Sequence, residues 1–176
     1  MKVVEAAKKV ADFRWREWTD LAEHTQALYR RASRTQQFAE IVLGNGKQPA
    51  LALPFSDQHI GSRGTDYKAF RTITEEIVST PNLYLALIGD FLEFAIKLRS
   101  VAEVCAQIFG PDKQIQFMED WLDEVKHKLI FATWCNHGVE REEKQSGVSL
   151  IKNLLADRTV MFDGIGHANI VVGKQI

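Results

Sequence analysis

Three short segments carry the groups that could do chemistry. Ser56-Asp57-Gln58-His59-Ile60-Gly61 holds a carboxylate and an imidazole two positions apart. Gly89-Asp90 supplies a second carboxylate, and Cys135-Asn136-His137 an amide and a second imidazole. In extended chain, residues i and i+2 face the same side, so Asp57 and His59 suit one ion. Oxygen and nitrogen donors without thiolate fit manganese, iron or zinc better than copper(I) or calcium. Asp90, arriving between them, could bridge two ions. Singly, each segment is an ordinary turn or cap. Their common position is what points to a site: each follows a short apolar run of strand length, Ala50 to Phe55, Leu83 to Ile88 and Lys128 to Trp134.

Those strands need elements to hold them in order. Thr65 to Ser79 reads as a helix, with Tyr67, Phe70, Ile73 and Ile77 on one stripe. Leu92 to Phe109 reads as a broad apolar helix, stopped by Gly110-Pro111. Pro111 suits the first position of a further helix, which runs to about Lys126 with Met118, Trp121, Leu122 and Val125 inward. A short helix is expected from Ser146 to Ala156, then strands at Thr159 to Phe162 and Ile170 to Val172. His167 is expected in the turn before the last strand, and His24 and His127 on helix surfaces. Pro54 argues for an incomplete ladder near the end of the first strand. Strands alternating with helices predict an α/β domain. Such domains gather ligands at the carboxyl ends of their strands, where the polar segments stand.

The first 43 residues read differently, as a helical segment ending at the turn signal Gly44-Asn45-Gly46. Residues 1–35 hold eight basic and five acidic residues, a net +3 in a chain of net −1. Val3, Val4, Ala7, Val10, Ala11, Trp15 and Trp18 keep helical spacing. A pair of amphipathic helices is the simpler expectation; basic residues interleaved with tryptophan would also suit nucleic acid. The near-neutral balance excludes a strongly basic coat or an acidic tail for the whole chain. Its 176 residues suffice for a core without staples, and two cysteines build no disulfide framework. No apolar run approaches the roughly 18 residues of a membrane span. A cytoplasmic location without a membrane anchor is the expectation.

With these residues in view, the sequence resembles the calcineurin-like metallophosphoesterases, whose motifs are D-x-H, G-D-x-x-[DN] and G-N-H-[DE], then a lone His and G-H-x-H. Asp57-Gln58-His59, Gly89-Asp90 and Asn136-His137 match the first three in order. The text around Thr80-Pro81-Asn82-Leu83-Tyr84 and Arg141-Glu142-Glu143-Lys144-Gln145-Ser146-Gly147 looks like the phage and mobile-element branch. The resemblance covers about residues 49–173. It implies part of that family's α/β sandwich, with sheet layers flanked by helices, over residues 48–176.

The resemblance also implies roles. Asp57 and His59 would hold the first metal, Asp90 would bridge both, and Asn136 would bind the second. His137 would face the phosphate and help the leaving oxygen depart. The cofactor would be two divalent ions (Mn, Fe or Zn), and a bridging hydroxide would attack a phosphoester. Cys135, Gly138 and Glu93 depart from the pattern. The two later His motifs are not matched, since Gly166-His167-Ala168-Asn169 follows His137 too closely. Two expectations therefore stand. One is a metal-dependent phosphoesterase, its site incomplete as given, with a C-terminal complementing segment as partner. The other is a non-catalytic fragment of such a domain, associated with nucleic acid or an assembly, holding one ion or none.

Overall fold

The computed structural model describes residues 14–20, 22–23, 37–44, 46–95, 105–134, 143–144, 147, 149–162 and 166–173. The chain divides into two units, Met1–Arg34 and Thr35–Ile176. In the first, residues 15–20 and 22–23 are helical. The Arg14 N–H donates to Glu17 Oε2 (2.7 Å), as a side chain three residues on satisfies an orphan donor at a helix start. Trp15 is 70% exposed, and the Arg16 guanidinium lies 5.0 Å from its ring centroid.

In the second unit the order is β1 (Phe38–Leu43), β2 (Leu51–Ser56), α1 (Tyr67–Ser79), β3 (Leu83–Ile88), α2 (Pro111–Val125), β4 (Leu129–Thr133), α3 (Leu150–Ala156), β5 (Val160–Phe162) and β6 (His167–Val172). Strands β2-β3-β4-β5 form one parallel sheet in that order, and β1 pairs with β6 in a second. Parallel neighbours need crossovers, and α1, α2 and α3 each lie between consecutive strands of the main sheet. Parallel sheets covered on both faces draw on continuous apolar runs, as Leu-Tyr-Leu-Ala-Leu-Ile of β3 illustrates. This is a mixed α/β fold with parallel sheets flanked by helices.

Each face of the main sheet has its own core. On the helix side, Leu85, Leu87 and Ala132 meet Ile77, Met118, Trp121, Leu122, Ile151 and Leu155. Full burial of each such leucine contributes about 1.5–3 kcal/mol. On the other side, Ala86 and Ile130 pack with Leu43, and Ile41, Tyr84 and Phe131 surround them. A register shift between Leu85 and Ala86 explains why Ile130 and Phe131, adjacent in sequence, serve the same cluster: Leu85 pairs with Leu129, but Ala86 pairs with Phe131. The extra residue is a bulge that re-aims the strand.

The helices carry their own signals. Asp66 Oδ1 accepts from the Ala69 N–H (2.9 Å) and caps α1, which buries Phe70, Thr74 and Ile77. Pro111 opens α2 behind Gly110, and Trp121 Nε1 donates to Thr74 Oγ1 (3.0 Å) across the α1–α2 seam.

Several sequence expectations are corrected. The helical segment expected to residue 43 gives way by Phe38, where β1 begins; buried Ala39 and Leu43 alternate there with exposed Phe38, Glu40 and Val42. That period of two is a strand's. β2 runs through Pro54 to Ser56, because it is an edge strand, where a missing donor is tolerated. His167 begins β6 rather than preceding the strand.

The helix expected from Leu92 to Phe109 gives way at its described ends: residues 92–95 and 106–109 are not helical, whereas Cys105 is. Leu92 bridges Ile60, and Gln107 bridges Ser62. Those tertiary pairings outcompete helical propensity, a weak prior. Residues 96–104 lie outside the described residues. So do most of residues 1–35, including His24. No helix among the described residues is long and apolar enough to cross a membrane.

Candidate metal centre

Parallel pairing sends the carboxyl ends of β2, β3 and β4 to one edge of the main sheet. The loops that leave β2 and β3 are stitched together by backbone. The His59 N–H donates to Asp90 O (3.0 Å), Ile60 N–H to Phe91 O (2.9 Å) and Glu93 N–H to Ile60 O (3.0 Å). These bonds continue the ladder past the strands, and they bring Asp57, His59 and Asp90 together. One ligand atom of each lies within 4.8 Å of the others, with Asp57 exposed and His59 and Asp90 half-buried.

The route to that cluster differs from the expected one. Asp57 and His59 do not share a side by extended alternation. Their φ angles are 56° and 43°, in the left-handed region, and Asp90 has φ 51°. Phe94, at φ 43°, is a fourth non-glycine residue of this kind beside the cluster. Such conformations cost roughly 1–3 kcal/mol each and persist where their surroundings fix them. Here the surroundings are specific. The Thr65 hydroxyl reaches the carbonyls of Gln58 (2.9 Å) and His59 (2.7 Å), and the Gly61 N–H donates to the Tyr67 hydroxyl (2.7 Å).

Beneath the loops lies Gln114, fully buried in α2. Its Oε1 accepts from the Phe94 N–H (2.9 Å), and its Nε2 donates to Gln107 Oε1 (2.7 Å) and Phe109 O (3.0 Å). Gln107 Nε2 donates in turn to Ala95 O (2.9 Å). This polar group ties two segments of the connection between β3 and α2 to that helix. Sequence reading missed it, although the signal existed: Gln114 lies four residues before Met118, on the buried stripe of α2.

His59 Nδ1 lies 3.2 Å from Glu93 Oε2, and the two side chains are 28% and 12% exposed. Gln58, between the two clustered β2-loop residues, is only 5% exposed, and neither of its amide atoms has a hydrogen-bond partner among the described residues.

The donor set fits a divalent cation. Bonds of about 2.1 Å place two ligand atoms at most about 4.2 Å apart, so small side-chain rotations close the present spacing. Two carboxylates and an imidazole are hard-to-borderline donors of the kind manganese, iron and zinc take. Among the described residues this is the one such group of three.

The structure brings together Asp57, His59 and Asp90. Asn136 and His137 lie outside the described residues, as does Cys135. Their strand is placed: β4 ends at Thr133, and the Trp134 ring lies tilted against that of Phe91, neighbour of Asp90, with centroids 6.5 Å apart. His167 sits on the two-stranded sheet and is not a member of the cluster, and His127 is exposed in the turn after α2. No protein-family model matches the chain, and no curated protein matches it significantly.

Proposed function

We propose that this chain is a metal-dependent phosphoesterase domain that holds a divalent cation through Asp57, His59 and Asp90. The observation that carries the reading is the meeting of an Asp-x-His pair and a Gly-Asp carboxylate at the carboxyl edge of a parallel sheet. A cation there lowers the pKa of bound water and polarises phosphoryl oxygen. Asp57 and Asp90 supply charge against the cation, and His59 supplies a neutral donor that Glu93 orients. Asn136 and His137, by resemblance, complete the second ion and assist the leaving oxygen.

The substrate class is a phosphodiester or phosphomonoester, with nucleic acid as one form of it. A manganese titration with a generic nitrophenyl phosphodiester tests this reading. Cation binding and hydrolysis that both vanish in Asp90→Asn support it. Absence of cation binding to the native chain overturns it.

A second reading has its own observation. Three ligands provide for one ion, and the described residues hold no second group of this kind. A domain that binds one cation without turnover, with Trp15, Trp18 and Arg16 exposed on helical residues for contact with a partner such as nucleic acid, fits that count. Cation binding without hydrolysis favours this alternative.

A further inference from the structure

We propose that Glu93 is the positioning residue for His59, selecting the ring tautomer and orientation in which His59 meets a cation. The inference rests on the reading of Asp57, His59 and Asp90 as a cation site. Its basis is the 3.2 Å contact between His59 Nδ1 and Glu93 Oε2, with the carboxylate only 12% exposed.

Two features separate this contact from a chance ion pair. First, the backbone fixes both residues: the His59 N–H is bonded to Asp90 O and the Glu93 N–H to Ile60 O. The ordering entropy that weakens exposed pairs is therefore met by the loop ladder. Second, His59 holds φ 43° and Phe94, next to Glu93, holds φ 43°, so both loops are constrained where the side chains meet.

The chemistry follows from the two ring nitrogens. Neutral imidazole carries one proton, on Nδ1 or on Nε2, and only the bare nitrogen ligates. A carboxylate can only accept, so Glu93 favours the proton on Nδ1. Ligation of a cation then falls to Nε2. A carboxylate on the far nitrogen also raises the basicity of the ligating one, and losing such a partner typically costs roughly 10–100-fold in metal affinity. An aspartate at position 93 would fall short by about one carbon–carbon bond, near 1.5 Å, so the longer side chain suits the separation.

The test uses the full chain with Glu93→Gln, which keeps the size of the side chain but can donate or accept and so loses the preference. In metal-free protein, nitrogen-15 spectra of the His59 ring, assigned with His59→Gln, should show the Nδ1–H tautomer in the native chain. A tautomer mixture should appear in Glu93→Gln. Manganese titration should show affinity falling roughly 10–100-fold in Glu93→Gln, with an unchanged thermal midpoint without metal. In a His59→Gln background, Glu93→Gln should add nothing to that loss. An Nε2–H tautomer in the native chain, or no change of tautomer in Glu93→Gln, overturns the proposal. So does an affinity unchanged by Glu93→Gln in a chain that binds manganese. A native chain that binds no manganese yet changes tautomer in Glu93→Gln upholds the positioning role and refutes the cation site separately.

Discussion

A methyl group added at Gly61 would lie 2.2 Å from Cδ of Gln114, so the loop after β2 rests directly on the buried amide of α2. The same glycine has φ +104°, a conformation that side chains disfavour. The clustered Asp57 and His59 stand a few residues upstream of this contact.

Gly61→Ala should therefore be among the most damaging single-methyl changes in the domain. The backbone term is roughly 1–2 kcal/mol and overpacking adds about 1–3 kcal/mol. Urea unfolding should show a loss of about 2–5 kcal/mol. A loss below about 1 kcal/mol would mean that Gln114 moves aside freely, and that the loop is not set by this contact.

Thr74 and Trp121 make the second prediction. Both are buried, and the indole N–H donates to the threonine hydroxyl at 3.0 Å. Thr74→Val keeps the shape but orphans the N–H, which should cost about 1–3 kcal/mol. Trp121→Phe removes the donor and also loses apolar contact with Phe55 and Phe70. The double variant should be less destabilised than the two single losses added together. Strict additivity in a double-mutant cycle would show that the hydrogen bond contributes nothing.

Much of this fold and part of the candidate site were legible in the residues. Apolar runs of strand length predicted β2, β3 and β4, and the stripes of α1 and α2 predicted which faces are buried. The clustering of Asp57, His59 and Asp90 followed from strand order alone. The local route did not, because alternation assumes extended chain, whereas Asp57 and His59 both adopt positive φ. The segment after Asp90 misled because its apolar residues have helical spacing. Leu92 instead spends its backbone on Ile60, a pairing that sequence periodicity cannot reveal. β1 was missed for a related reason: its partner β6 lies more than a hundred residues later, and only that pairing with the Leu43 cluster makes it a strand.

Arg158 provides a prediction about a weaker link. Its guanidinium donates to Asp123 Oδ1 through two nitrogens, at 2.9 and 3.1 Å, and to Leu154 O at 3.0 Å. Arg158 is 14% exposed, but Asp123 is 55% exposed, so water screens the pair. Arg158→Met, which keeps much of the apolar stem, should cost no more than about 1 kcal/mol. Part of that difference should disappear at high salt. A loss of several kcal/mol that is insensitive to salt would assign the stability to packing instead.

Asp90 sets the sharpest contrast between a structural residue and a ligand. In the metal-free protein its carboxylate stands within 4.8 Å of a ligand atom of Asp57, a like charge at short range. Asp90→Asn removes that repulsion while keeping the size of the side chain, so the metal-free variant should be at least as stable as the native chain. Manganese should reverse the order. A ligand bound only by the folded state at about 100 times its Kd adds roughly 2.7 kcal/mol to stability. The native chain should gain this amount and Asp90→Asn should gain little, because a neutral amide is a poorer ligand for a hard cation. Thermal unfolding of both proteins, with and without manganese and after chelation, reads all of this. An Asp90→Asn chain that is less stable without metal, and unaffected by manganese in the same way as the native chain, would make Asp90 a structural residue of the turn after β3.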